Sequence, residues 1–198
     1  YAAWLGLAVP ADEVPLEGST VFAVKFSADG ERVSCAGAVR PDEGPVFVES
    51  FGVRAMSDGT ARLVDWLAER RRTAVGFLID GKAGAGDFRN ELIGSGVPAR
   101  LVRVATADDV ITASSGMLRA IAERDVAHSA QPGLDAQVRV AGKRKIGTAG
   151  GFGWGPVTPD GDTTAFDAVT LARHGAATAK KRREGGRSGS SGRAGVVM

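Results

Sequence analysis

The sequence has one cysteine, two histidines and no initiating methionine. No apolar run approaches the roughly 18 residues that a membrane-spanning helix needs, which excludes a transmembrane anchor of that kind. The single cysteine, Cys35, excludes an internal disulfide framework and any cysteine-rich zinc site, and it suits a reducing compartment. His128 and His174 have no cysteine or further histidine at zinc-ligand spacing, so zinc chemistry is disfavoured. Ser114 and Ser115 fall inside a helical pattern and Cys35 inside a strand, with no nucleophile elbow or Cys-His context, which disfavours a serine or thiol hydrolase. The opening segment, Tyr1 to Pro10, lacks the basic region of a signal peptide and reads as the start of a piece cut from a longer chain or of a processed product.

What is present suits one globular domain with a real core: 198 residues, 43% hydrophobic and 24% charged. Glycine, at 28 residues, is about twice as frequent as usual and implies many loops. The net charge of +2 is unevenly spread. Residues 180–198 hold six basic residues and one acidic, which leaves 19 basic and 22 acidic residues, or −3, for residues 1–179. The basic character belongs to a Gly/Ser/Arg tail that cannot bury enough apolar surface to fold. The expected organisation is a lead over residues 1–18, a folded body over 19–179 and a disordered basic tail over 180–198.

Within the body, β-branched and aromatic runs at Thr20 to Phe26, Arg32 to Val39 and Val46 to Phe51 predict a three-stranded antiparallel meander. The first hairpin is marked by Asp29-Gly30. The period then changes to that of a helix, with Leu63, Trp66 and Leu67 on one face, an N-cap near Ser57-Asp58 and an end at Arg70 to Arg72. Ala74 to Ile79 is apolar without a polar face, as expected of a strand covered on both sides. A short helix near Gly86 to Ile93, a strand at Leu101 to Ala105 and a helix from Asp108 to Arg124 follow. A mixed α/β sheet of five strands with helices on both faces results: the meander plus two parallel strands. Leu134 to Val140 suits another short helix, Ile146 to Pro159 a flexible glycine-rich hairpin, and Ala165 to Ala177 a final helix capped by Thr163 or Thr164.

Asp80 stands directly after the buried run, at the strand end where ligands of open α/β sheets bind. Asp-Gly is also a common turn pair, so the position alone does not assign a function. One carboxylate holds a divalent metal poorly. If the first strand lies beside the Ala74 strand, Asp29 and Asp80 come near one sheet edge, and a final helix packed across that edge would bring Asp162 or Asp167. Three or four hard oxygen ligands of this kind suit Mg²⁺ or Mn²⁺, and a pair of ions can clamp both oxygens of a phosphodiester. Taken singly, Asp29 reads as a hairpin residue, Asp162 as a loop residue and Asp167 as part of a solvated helix face.

The order of Val-Lys-Phe-Ser-Ala-Asp-Gly at 24–30, Phe-Leu-Ile-Asp-Gly at 77–81, Gly-Gly-Phe-Gly-Trp-Gly at 150–155 and Thr-Thr-Ala-Phe-Asp-Ala-Val-Thr-Leu-Ala at 163–172 resembles the C-terminal nuclease domain of tailed-phage terminase large subunits, notably of actinobacteriophages. The resemblance covers about residues 20–178. It implies an RNase H-like fold, cleavage of double-stranded concatemeric DNA during genome packaging, and two Mg²⁺ or Mn²⁺ ions held by acids of the first strand, the fourth strand and the last helix. Asp80 matches the fourth-strand acid. Asp167 matches the helix acid, and Asp162 the polar entry to that helix. Many members carry Asp where this sequence has Lys25, and the nearest acid, Asp29, comes four residues later. Either Asp29 takes over as ligand, or the site is altered and Lys25 occupies one metal position or touches a phosphate.

The candidate DNA contacts are Lys25, Lys82 and the cluster Arg139, Lys143, Arg144 and Lys145 before the glycine hairpin, whose Phe152 and Trp154 either touch DNA or pack on the sheet. The segment from Gly81 to Gly86 could cradle phosphate but lacks the Walker spacing and its terminal Lys-Ser/Thr pair. The resemblance further implies partners in the portal, the small terminase subunit and an ATPase domain of the same polypeptide, and a place in the host-cell cytoplasm. Two other classes remain open. One is a catalytically altered RNase H-like module that binds DNA or docks on the portal. The other is an RNase H-like nuclease of the resolvase or transposase type.

Overall fold

The computed structural model describes residues 1–148 and 150–179; the basic tail expected over 180–198 lies outside the described residues. A short helix α1 (Ala2–Leu5) precedes the meander β1 (Ser19–Phe26), β2 (Arg32–Arg40) and β3 (Val46–Ala55). Then come α2 (Ala61–Glu69), β4 (Ala74–Asp80), α3 (Ala85–Gly94), β5 (Val102–Val104), α4 (Ala107–Glu123), β6 (Val126–His128) and α5 (Pro132–Val140). The hairpin β7 (Ala141–Ile146) and β8 (Gly151–Pro156) leads into α6 (Thr164–Thr178).

The main sheet has six strands in the order β5-β4-β1-β2-β3-β6. Five were expected. The additional strand, β6, is three residues long and pairs in parallel with the first residues of β3. It is too short for a periodic signal. The remaining topology is as expected: β1 and β2 are antiparallel, β2 and β3 are antiparallel, and β1 and β4 are parallel neighbours.

Two cores lie on opposite faces of the sheet because side chains alternate along each strand. Val21 and Ala23 of β1 and Leu78 of β4 face one side, where α1, α4 and α6 pack. Phe22, Val24, Phe26, Phe77 and Ile79 face the other, under α2 and α3. The first face is built from small residues. Ala168, Ala172 and Ala176 form an i, i+4 stripe on α6 and share a core with Ala23, Ala36 and Ala38 of β1 and β2. Small side chains on both partners let the helix backbone lie close to the strands. α6 is consequently buried over most of its surface, between the sheet and α4.

Residues expected as a lead contribute to this core. Trp4 is 1% exposed, stacks on His128 with ring centroids 4.0 Å apart and donates from Nε1 to Asp135 at 2.8 Å. His128 is thereby a core residue rather than a loop one. α4 begins at a capping box between Thr106 and Asp109. α2 begins after Thr60, while Ser57-Asp58 lie in a single 3₁₀ turn.

The turn after β4 is tightly constrained. Gly81 has φ +110°, and a Cβ there would lie 2.6 Å from the Phe26 carbonyl oxygen at the end of β1. Only glycine meets both conditions. Gly81→Ala is therefore expected to destabilise the fold by about 2 kcal/mol or more, measured as a fall in the midpoint of urea unfolding. A midpoint equal to that of the wild type would show that the turn relaxes freely.

Candidate active site at the β1–β4 edge

Parallel pairing of β1 and β4 sets Lys25 directly beside Asp80. Because the two residues are register partners, their side chains leave the same face of the sheet, toward α6. The Lys25 ammonium donates to Asp80 Oδ2, and the Gly81 N–H donates to Asp80 Oδ1 at 2.7 Å. Both ends of the pair are largely buried, with side chains 14% and 18% exposed.

Asp167, in the first turn of α6, faces this pair. Burial pushes its carboxyl up to about 7, with the Asp80 charge acting in the same direction; Lys25, a hydrogen bond from Thr163 and the Arg144 guanidinium oppose the shift. The Thr163 hydroxyl donates to Asp167 Oδ2 at 3.2 Å. Asp80 and Asp167 also line a cavity of about 10 Å³, the size of one water, together with Ser114 and Thr170. Ser114 is 1% exposed and its hydroxyl has no hydrogen-bond partner. Its neighbour Ser115 makes the usual bond to the helix backbone at Ile111.

The other two candidate acids form a separate pair. Arg32 bridges Asp29 and Asp162, with a nitrogen 3.3 Å from each carboxylate. Asp29 closes the β1–β2 turn, accepting from the Ser27 hydroxyl and from the Glu31 N–H at 3.0 Å. The Ser27 bond, the Glu31 bond and Arg32 hold its carboxyl below the ordinary range. Asp162 accepts from the Thr164 N–H at 2.9 Å and so caps α6, the role expected of Thr163 or Thr164. Gln137 completes the cap by accepting from the Ala165 N–H at 2.7 Å. The four acids thus divide into Asp80 with Asp167, and Asp29 with Asp162, each pair served by one basic side chain. Among the described residues, no three His, Cys, Asp or Glu side chains come together as a metal-binding group.

The hairpin expected over Ile146 to Pro159 is present, but as a regular two-stranded sheet with six paired positions whose first strand begins earlier, at Ala141. A Cβ on Gly151 would meet Ile111 of α4 at 2.3 Å, so glycine here allows the hairpin to lie flat on that helix. Trp154 is a core residue: it donates to Thr170 Oγ1 at 2.9 Å and contacts Phe166, with centroids 4.9 Å apart. Phe152 is half-buried under the Lys143 ammonium, 4.7 Å from its centroid. Lys143, Arg144 and Lys145 are exposed on β7, Lys82 is exposed in the turn after Asp80, and Arg139 is exposed near the end of α5, over the Tyr1 ring. Of these basic candidates, Lys82 follows Asp80 by two residues and Arg144 lies near enough to Asp167 to act on its carboxyl. Ser114 and Arg32 were not among the sequence candidates. A lone serine in a helix and an arginine in a strand carry no signal until the fold supplies their neighbours.

The raised carboxyl of Asp167 makes a pH-dependent prediction. In the unfolded chain this carboxyl titrates at the ordinary value of 3.8, and in the folded one at about 7. Between these values the folded state holds a proton that the unfolded state has released, so stability is lost as pH rises through this window. In metal-free buffer, Asp167→Asn is expected to stabilise the protein on the order of 2 kcal/mol at pH 8 and by little at pH 4. Thermal unfolding across that range measures the gap; a gap constant with pH would contradict a raised Asp167.

No protein-family model and no curated protein matches the chain. Solved structures similar in fold include two phage terminases. The HK97 bacteriophage large terminase is 15% identical with a TM-score of 0.65; the match covers 88% of this chain and 42% of that one. The large terminase nuclease from thermophilic phage G20c is 15% identical with a TM-score of 0.57, covering 80% of this chain and 82% of that one. This chain thus spans less than half of the HK97 protein. With its strand order, its two-faced core and an acid at the end of β4 opposite another on the last helix, the chain has the RNase H-like fold of phage large-terminase nuclease domains.

Proposed function

We propose that residues 19–179, with the Trp4 segment packed into their core, form a metal-dependent endonuclease domain that cuts double-stranded, concatemeric DNA during phage genome packaging. The observation that carries this reading is the convergence of Asp80 and Asp167 from β4 and α6 at the strand-end edge of the sheet, with Arg144 acting on Asp167 and Lys82 two residues beyond Asp80. Asp80 and Asp167 offer carboxylate oxygens, the hard donors that suit Mg²⁺ or Mn²⁺, and Asp167, raised by burial and by the Asp80 charge, would release its proton on binding the ion. The Ser114 hydroxyl, buried and unpartnered in the same cavity, adds a third oxygen. These groups fit one divalent ion. They do not fit two as they stand, because the Lys25 ammonium holds Asp80, and Asp29 and Asp162 are committed to Arg32.

A divalent ion bound there would supply the charge that activates water and stabilises the leaving 3′-oxygen. The chain's own residues supply the rest. Gly81 and Thr163 orient the two carboxylates through hydrogen bonds. Lys82, Arg139, Lys143, Arg144 and Lys145 offer exposed charge to DNA phosphates, an attraction independent of sequence and weakened by salt. The portal, the small terminase subunit and an ATPase domain of the same polypeptide are the partners this reading names, in the host-cell cytoplasm. Among the described residues, no helix is long and apolar enough to cross a membrane. The Lys25–Asp80 ion pair favours a second reading, a catalytically altered module that binds DNA without cutting it.

Linearisation of supercoiled plasmid in Mn²⁺ separates the two readings. Cutting is expected from the wild type and is expected to fall at least 100-fold in Asp80→Ala; undiminished cutting in that variant would move the chemistry elsewhere. Replacing Lys143, Arg144 and Lys145 together by Ala is expected to weaken duplex binding and to flatten its salt dependence by up to about three in log–log slope. Fluorescence anisotropy at several salt concentrations measures that slope.

A further inference from the structure

Lys25 is the basic side chain bonded to an acid of the candidate site. It lies on β1 in register with Asp80, its ammonium is bonded to that carboxylate, and both side chains are largely buried. An ammonium in this place carries one positive charge and excludes a divalent ion from the same carboxylate oxygen. The Asp167 side differs. There a water-sized cavity has the oxygens of Asp80, Asp167 and Ser114 on its polar side and Val110, Ala113 and Leu171 on its apolar side, and the Ser114 hydroxyl is buried without a partner. A buried hydroxyl left unpaired costs about 1–3 kcal/mol, so a group that completes its bonding is stabilised there. A small cation or its water fits; a larger ligand does not.

We infer that Lys25 is the site's second cation: the centre takes one divalent ion, on the side lined by Asp167 and Ser114, while the Lys25 ammonium supplies fixed positive charge on the β1 side. Lys25 thereby changes from a residue that cancels the site to one that completes it. The local charge also balances. Asp80 and Asp167 contribute two negative charges when ionised, and one divalent ion plus one ammonium exceed them by one, leaving a net attraction for a phosphodiester. Two divalent ions without Lys25 would exceed them by two. The inference rests on the endonuclease reading above.

Ion stoichiometry tests it without any measurement of cleavage. Mn²⁺ alone is titrated into the metal-free 198-residue chain, with bound ion counted by calorimetry and by electron paramagnetic resonance. The wild type is expected to bind one ion and Lys25→Asp two. Lys25→Gln, which removes the competing ammonium and keeps a polar side chain, is expected to bind one ion about tenfold more tightly than the wild type. Two ions in the wild type would overturn the inference and leave the endonuclease reading standing. One ion in Lys25→Asp would overturn it as well. Should Lys25→Asp fail to fold, Lys25→Gln decides: an affinity equal to that of the wild type overturns the role of the ammonium. No bound ion in any of the folded chains would overturn the metal-dependent reading itself.

Discussion

The parallel pairing of β1 with β4 is the constraint on which the site depends. It places the ends of two neighbouring strands at one edge, brings Lys25 and Asp80 side by side, and leaves both facing the helix that carries Asp167. The pairing is held from both faces, by the alanine-lined contact with α6 and by the phenylalanine-rich core under α2 and α3. A slip of one residue would turn Lys25 and Asp80 to opposite faces and expose half of each core. The energy that specifies the register is thus mostly hydrophobic, although its visible product is a pair of charges.

Charge is handled locally. The body carries a small net negative charge, and its candidate site residues are arranged as two acid pairs with a basic side chain on each. Of the candidate DNA contacts, Lys143, Arg144 and Lys145 are exposed on β7, Lys82 in the turn after β4 and Arg139 on α5. On the proposed reading, a divalent ion bound at the acidic centre would invert its local sign, so that a domain of negative charge could accept a polyanion.

Much of this was legible in the sequence. The Ala74 to Ile79 run lacks a polar face, and it became a strand covered on both sides with Asp80 at its end. The meander, the crossover helix and the final helix follow from period and turn residues. Other features depend on which residues the fold brings together. The split of the four acids follows from where Arg32 points, and nothing local predicts that. β6 escaped notice because three residues make no pattern. The glycines of the hairpin suggested looseness, yet glycine also lets a backbone lie flat on a neighbour such as Ile111, and sequence cannot separate the two uses.

The bridge from Asp29 through Arg32 to Asp162 extends beyond electrostatics. It ties the turn between the first two strands to the start of the last helix, where Thr163 holds Asp167. These segments are distant in sequence, and the bridge couples them mechanically, so the first hairpin acts as an outrigger for an acid it never touches. The bridge thus fastens the first hairpin to the segment that precedes Asp167. A substitution in an exposed turn would be felt there as a change of angle rather than of charge.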